Sequence, residues 1–113
     1  MFSRTARVSV EKFNQVLEKG RVVHSPFFVL RFISNDVGPK ARLAAIAPQK
    51  TFRTAVSRNR TRRRIYEAVK PFYEQLPQHC TLLVFAKNPA GTASFVDLKK
   101  ALKELFVKAG LMR

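Results

Sequence analysis

Apolar residues recur along the chain with two different spacings, which predict three helices and a sheet. In the helical segments, apolar side chains stand three or four positions apart, as on a helix with one buried side; these segments are 10–19, 55–70 and 95–109. The strand segments are shorter apolar runs rich in β-branched and aromatic residues, at 21–34, 41–47 and 80–86. The predicted order is helix, two or three strands, helix, strand, helix.

Both ends of the first helix have clear signals. Ser9 can cap its N-terminus, and Gly20 follows Lys19 as a stop. One side of this helix would carry Val10, Phe13, Val16 and Leu17.

The segment RVVHSPFFVLRFIS, residues 21–34, predicts a strand that is bent or interrupted at Pro26. Side chains alternate between the two faces of a strand. One face would therefore carry Phe28, Leu30 and Phe32, and the other Phe27, Val29, Arg31 and Ile33. The following NDVGPK, residues 35–40, predicts a loop.

The remaining segments complete the sheet and its cover. ARLAAIA predicts a short strand ended by Pro48, and the almost wholly apolar CTLLVFA predicts a central strand buried on both faces. Pro71 should break or kink the middle helix. After a turn at KNPAGT, Ser94 can cap a last helix that stops at Gly110. Its apolar side would carry Phe95, Leu98, Leu102, Leu105, Phe106 and Ala109.

These elements predict one domain over residues 1–113 with an α+β fold, an α/β sandwich in which three helices pack on about four strands. Its length is sufficient to bury a core without a disulfide or a metal. Cys80 is the only cysteine, so no internal disulfide can form, and a lone thiol suits the reducing cytoplasm. No apolar run approaches the roughly 18 residues that a membrane span needs.

Charge is the most unusual property of the sequence. The formal net charge is +15, from 22 basic and 7 acidic residues. Nearly half of it comes from residues 50–70, where Glu67 is the only acid. A charge of this size points to an anionic partner, with nucleic acid first and an anionic membrane surface second.

The segment AVSRNRTRRRIYEAV distributes its arginines around a helix. Projected at 100° per residue, the side opposite the apolar stripe carries Arg60, Arg63, Glu67 and Lys70, with Arg64 at its edge. Arg58 and Arg62 lie along the flank that faces the sheet. A merely solvated face would mix charges in pairs, and Glu67 offers only Arg63 and Arg64 such a pairing. The pattern therefore favours anion binding, and arginine is the better phosphate ligand.

Aromatic residues offer a second binding chemistry, because single-stranded nucleic acid stacks on them. The candidates are Phe13, Phe27, Phe28, Phe32 and Tyr66. At these spacings a phenylalanine more often belongs to the core. We expect Phe13 and Phe28 to be partly exposed.

Within the arginine-rich segment, the sequence resembles the protein subunit of bacterial ribonuclease P. The family signature is Ala-Val-x-Arg-Asn-Arg-x-Lys/Arg-Arg, and here it is Ala55, Val56, Arg58, Asn59, Arg60, Arg62 and Arg63. The likeness extends over the chain, through EKFNQVLEKG, PFFVLRF, ARLAAIAPQK, LLVFAKNPA and DLKKALKELFVKAG. The chain departs from the family at Thr51, where lysine is frequent, at Arg53, where glycine is common, and at Tyr66, where arginine is common.

The resemblance implies a fold and a role. The fold would be like domain 2 of ribosomal protein S5, with the arginine-rich helix in a left-handed βαβ crossover. The chain would bind a catalytic RNA and the 5′ leader of precursor tRNA. The RNA subunit would contact Arg58, Asn59, Arg60, Arg62, Arg63 and Arg64. The leader would contact Phe13, Phe28, Arg31, Ala47, Lys50 and Tyr66, with Asn59 along the border of that cleft.

The sequence has no evident catalytic site of its own. Its acidic residues are scattered over helices and loops, whereas a metal-dependent nuclease clusters carboxylates around its ions. His24 and His79 are the only pair that could act as acid and base. We expect no metal site in the chain, no obligate protein partner and no membrane. In the family, the RNA and its Mg²⁺ carry the chemistry.

Two other functions remain open. A structural, ribosomal-type RNA-binding protein would share the charge and the fold without contacting a leader. An independent nuclease or DNA-binding module would act without an RNA subunit.

Overall fold

The computed structural model describes residues 8–34 and 41–112, so the loop predicted at 35–40 lies outside the described residues. The helices are α1 (Val10–Lys19), α2 (Ala55–Val69) and α3 (Phe95–Lys108). The strands are β1 (Arg21–His24), β2 (Phe28–Ile33), β3 (Arg42–Ile46) and β4 (Thr81–Ala86). Short 3-10 helices follow α2 at Lys70–Gln75 and β4 at Asn88–Gly91.

The helix ends follow from local hydrogen bonds. The Ser9 hydroxyl accepts the Lys12 N–H, and the Ser94 hydroxyl accepts the Asp97 N–H. Thr54 caps α2 in the same way. Pro71 lies in the first turn of the 3-10 helix that succeeds α2, so the predicted break at that proline is confirmed.

Four strands form one mixed sheet in the order β1-β2-β4-β3. The pairs β1–β2 and β2–β4 are antiparallel, while β3 and β4 are parallel. The break at Pro26 turns the first segment into the β1–β2 hairpin. Because α2 connects β3 to its parallel neighbour β4, the predicted βαβ unit is present. Its left hand stays a prediction.

Helices cover the sheet on both faces. The main core lies on one face, where α2 and α3 pack over Phe28, Leu30, Phe32, Leu43, Leu82 and Val84. On the opposite face, α1 packs against β2 and β4 and buries Val16 completely. Leu82 and Leu83 point to opposite faces and are both 0% exposed, so β4 is the central, doubly buried strand that the sequence predicts.

Three positions on the predicted apolar sides are exposed, so their assignment to the core is wrong. Val10, in the first turn of α1, is 78% exposed, Leu17, in the last turn of α1, is 38% exposed, and Phe95, in the first turn of α3, is 43% exposed. Val10 and Phe95 lie at the N-terminal end of a helix, where the apolar stripe begins one turn before the helix reaches its packing partner. Leu17 lies beside the fully buried Val16, which makes the main contact of α1 with the sheet. The later positions on the α3 stripe, Leu98, Leu102 and Leu105, are buried as predicted.

The free edge of β3 is covered by α2. The Tyr66 hydroxyl accepts a hydrogen bond from the Ala45 N–H at 3.0 Å, which satisfies a backbone donor of the edge strand. Further along, the Tyr73 hydroxyl donates to the Ala41 carbonyl. Burial, with a smaller contribution from the Glu74 charge, raises the pKa of Tyr73 and keeps that hydroxyl protonated as a donor.

Candidate nucleic-acid interface

The outward side of α2 holds two unpaired cations. Arg60 and Arg63 are exposed, and within residues 8–34 and 41–112 neither guanidinium has a hydrogen-bond or ion-pair partner. Glu67 lies on the same side without pairing to either Arg63 or Arg64. The predicted arc of positive charge is therefore present, and its two central guanidiniums are available to an external anion.

Two other arginines of α2 are engaged inside the protein. The Arg58 guanidinium donates to the Phe52 carbonyl at 3.0 Å and so fastens the loop that leads into the helix. The Arg64 guanidinium donates to the Ala90 carbonyl at 3.3 Å and also to the Ala93 carbonyl. Both arginines are half-buried. They hold the loops beside α2 in place. Because some of their N–H groups already bind carbonyls, they have fewer donors left for a ligand than exposed arginines would have.

Arg62 and Asn59 form a pair on the flank of α2 that faces β3. The Arg62 guanidinium donates to the Asn59 side-chain oxygen. The pairing orients the guanidinium along the helix, one turn from Tyr66. The six residues expected to face an RNA subunit thus divide into an exposed pair, an engaged pair and this oriented pair.

A second surface lies on the α1 side of the sheet, where the helix leaves β3 uncovered. Phe13 of α1 is half-buried, and its ring centre is 6.4 Å from that of Phe85, with the two planes inclined by 56°. Phe85 and its register partner Ile46 on β3 are also half-buried. Together Phe13, Phe85 and Ile46 give a partly exposed apolar surface beside α1, which we call the α1 groove.

Phe28 and Ala47 do not belong to the α1 groove. Phe28 is 0% exposed and Ala47 is 5% exposed, and both side chains lie in the main core under α2 and α3. The expectation that Phe28 is partly exposed is therefore wrong. Strand alternation is the physical reason: Phe28 shares a face with Leu30 and Phe32, which the two long helices cover.

The other residues expected to contact a leader lie near the α1 groove or along the β3 edge. Arg31 is half-buried on the α1 face, and its guanidinium is 3.5 Å from the Leu17 carbonyl at the end of α1. Lys50 is exposed just beyond β3. Tyr66 is half-buried, with its hydroxyl bound at the β3 edge.

Phe85 is the residue that sequence reasoning missed. It lies within the apolar run of β4, which the sequence assigns as a whole to the buried centre. The strand period contained part of the signal, because residues 81, 83 and 85 share one face. In the structure that face is covered by the short helix α1. Phe13 is half-exposed, as expected, and Phe85 forms the floor beneath it.

The described residues offer binding groups more than reactive ones. Among residues 8–34 and 41–112, no group of three or more His, Cys, Asp and Glu side chains is arranged to hold a metal ion. Within the same ranges, no helix is both long and apolar enough to cross a membrane. Exposed guanidinium groups and a half-open aromatic groove can bind phosphates and unpaired bases.

Comparison with known proteins agrees with this chemistry. A family model described as Ribonuclease P matches residues 2–110. The ribonuclease P protein component of Symbiobacterium thermophilum is 32% identical over 101 residues, which cover 89% of this chain and 87% of the relative. That of Bacillus velezensis is also 32% identical, over 91% of this chain and 87% of the relative.

Solved structures show the same fold. The RNase P protein of Staphylococcus aureus superposes with a TM-score of 0.85 at 22% identity, covering 97% of this chain and all of the other. The RNase P protein of Thermotoga maritima superposes with a TM-score of 0.79 at 20% identity, covering 90% and 96%. At these identities the structural likeness concerns the fold alone.

The division among the arginines of α2 predicts different stability effects. Arg64→Ala should lower the free energy of unfolding by about 1–3 kcal/mol, because the Ala90 and Ala93 carbonyls lose a charged donor. Arg63→Ala, which removes the same charge from an exposed site one position away, should change it by less than about 0.5 kcal/mol. Urea unfolding measures both. Equal effects would show that Arg64 is a surface charge like Arg63.

Proposed function

Since the chain belongs to the ribonuclease P protein family, we propose that it binds the catalytic RNA of that endoribonuclease and promotes removal of the 5′ leader from precursor tRNA. The observation that carries this proposal is the pair of exposed guanidiniums, Arg60 and Arg63, which have no hydrogen-bond or ion-pair partner among residues 8–34 and 41–112. Exposed like charges destabilise a free protein slightly, and phosphate neutralises them on binding.

We propose that α2 faces the RNA subunit. Arg60 and Arg63 are free to donate two parallel hydrogen bonds each to phosphate oxygens. Arg62 and Asn59, already oriented toward each other, extend this surface along the flank toward β3. Arg58 and Arg64 contribute mainly by holding the loops on either side of the helix.

We propose that the α1 groove takes the leader. The half-exposed ring of Phe13, supported by Phe85, offers a face on which an unpaired base can stack. Lys50 adds positive charge beyond the end of β3, and Tyr66 marks the edge of that strand. Phe28 and Ala47 act beneath this surface as core residues, since neither has a side chain that a leader can reach.

We place the chemistry on the RNA partner, with Mg²⁺ held there, and the complex in the cytoplasm. The carboxylates are dispersed, residues 8–34 and 41–112 bring no metal-ligand cluster together, and the single cysteine, Cys80, is buried and forms no disulfide. A structural RNA-binding protein would share the surface of α2, and the α1 groove is the feature that favours the processing role.

Cleavage of precursor tRNA tests this proposal. At low Mg²⁺ a bacterial ribonuclease P RNA should cut precursor tRNA faster with the chain than without it, because the protein adds positive charge and leader contacts. The chain alone should not cut at any Mg²⁺ concentration. A gel assay of leader release measures both. Cleavage by the chain after exhaustive nuclease treatment would instead identify an independent nuclease, and an RNA rate unchanged by the chain would favour a structural role.

The two exposed arginines should govern affinity for the RNA subunit. Arg60→Ala with Arg63→Ala should weaken binding and reduce the slope of log K against log salt by about 0.7–0.9 for each phosphate that the variant no longer neutralises. The matched control is Lys99→Ala with Lys103→Ala, which removes the same charge from the exposed side of α3. Filter binding at several salt concentrations gives the slopes. If both double variants bind the RNA equally weakly, binding depends on net charge and not on α2.

Phe13 should distinguish precursor from mature tRNA. Phe13→Ala should weaken precursor binding by the assembled enzyme about tenfold, since stacking is worth roughly 1–3 kcal/mol per base, and leave mature tRNA binding unchanged. Phe95→Ala is the matched control, because Phe95 is another partly exposed phenylalanine and lies on α3. Thermal melts must accompany the binding data. Equal weakening for both tRNAs would show that the leader lies elsewhere.

A further inference from the structure

An open cavity of about 410 Å³, lined by both polar and apolar atoms, lies between the N-terminal half of α2 and the turn at residues 88–93. We call it the α2 cavity. It is separate from the α1 groove and lies on the other side of the sheet, beside the helix that carries the arginines. The residues that matter for its chemistry are Arg53, Ser57, Arg60, Thr61, Asn88 and Thr92, and none of the described residues that line it is acidic.

The walls of the α2 cavity are fixed by contacts within the protein. Arg64 binds the Ala90 and Ala93 carbonyls and so ties the 88–93 turn to α2. A Cβ atom on Gly91 would lie 2.8 Å from the Phe52 ring, so this turn and the loop before α2 are in close contact. Arg58 in turn holds the Phe52 carbonyl. Arg58 and Arg64 thus hold the walls of the cavity in place, and the exposed Arg60 is part of its lining.

Thr61 supplies an independent sign that the cavity is built for a ligand. It is one of only two polar residues buried in the described ranges, with 4% of its surface exposed, and it lines the cavity. Within those ranges its hydroxyl has no hydrogen-bond partner, whereas every completely enclosed polar side-chain atom has one. The Thr61 hydroxyl therefore lies at the surface of the cavity. A hydrogen bond to a ligand there would satisfy this polar group, as is usual for buried polar groups.

From this geometry we infer that the α2 cavity binds one phosphate group of the RNA subunit's backbone. Two guanidiniums, the hydroxyls of Thr61 and Thr92 and an amide, with no carboxylate among the described lining residues, suit an oxyanion that accepts several hydrogen bonds. The Ser57 hydroxyl already donates to the Thr54 carbonyl and completes the wall. Arg53 strengthens the inference, because it adds a second exposed cation to the lining of the cavity. The inference rests on the proposed function and adds a specific anchoring point to it.

Titration of the isolated chain with inorganic phosphate tests the cavity without any RNA. Amide NMR shifts should concentrate on residues 53–61 and 88–92. Thr61→Val should weaken phosphate binding about tenfold, because it removes a hydrogen bond to a charged group while keeping the volume, and Thr61→Ser should restore it. Shifts spread evenly over the basic residues, or unchanged affinity in Thr61→Val, would overturn the inference.

Substitution of two exposed cations tests the cavity without risk to the fold. Arg60→Ala should weaken phosphate binding, while Lys103→Ala, which removes one positive charge from the exposed side of α3 and outside the cavity, should leave it nearly unchanged. Equal weakening by the two substitutions would contradict a defined site.

Binding measurements with the RNA subunit show whether the cavity takes a phosphate of the RNA backbone or a free phosphate ion. Thr61→Val should also weaken RNA binding about tenfold. If it weakens only inorganic phosphate binding, the cavity serves a free anion, and the inference is overturned. In that case weaker RNA binding by the double variant of Arg60 and Arg63 would still uphold the proposed function.

Discussion

The burial of β4 on both faces is the constraint on which the rest of the structure depends. Leu82 and Val84 anchor α2 and α3 on one face, and Leu83 lies under α1 on the other. Each fully buried leucine contributes roughly 1.5–3 kcal/mol. Because β4 is hydrogen-bonded to β2 on one side and β3 on the other, it also sets the register of both neighbours. The outward side of α2 and the α1 groove, the two surfaces that we propose bind RNA, are therefore positioned by a single strand that contributes only Phe85 to them.

The arginines of α2 have two different roles in the structure. The side chains nearest the neighbouring loops bind backbone carbonyls, and those farthest from the core remain unpaired within the described part of the chain. An arginine bound to carbonyls keeps its charge, so it contributes to the local positive potential even while it holds a loop. Arginine-rich helices can thus combine structural and ligand-binding roles in one short sequence, and counting cations does not separate the two.

The sequence was sufficient for the helices and the strands because their signals are local. Caps at Ser9 and Ser94 and the break at Pro71 involve residues within one turn of each other. The failure at Phe28 has a different origin: alternation divides a strand into two faces but does not say which face the longer helices will cover. Likewise, Arg64 binds carbonyls 26 and 29 residues away, and a helical projection contains no information about them.

The hydrogen bond between the Tyr66 hydroxyl and the Ala45 N–H has a consequence for self-association. An edge strand with unpaired backbone groups invites a strand from another molecule to add to the sheet. On β3 one of those groups is already occupied, and α2 lies along the same edge. A second copy could extend the sheet there only by displacing a tyrosine that is anchored in a helix. The chain thus protects its parallel edge with a side chain, and it does so in a molecule whose net charge of +15 already opposes aggregation.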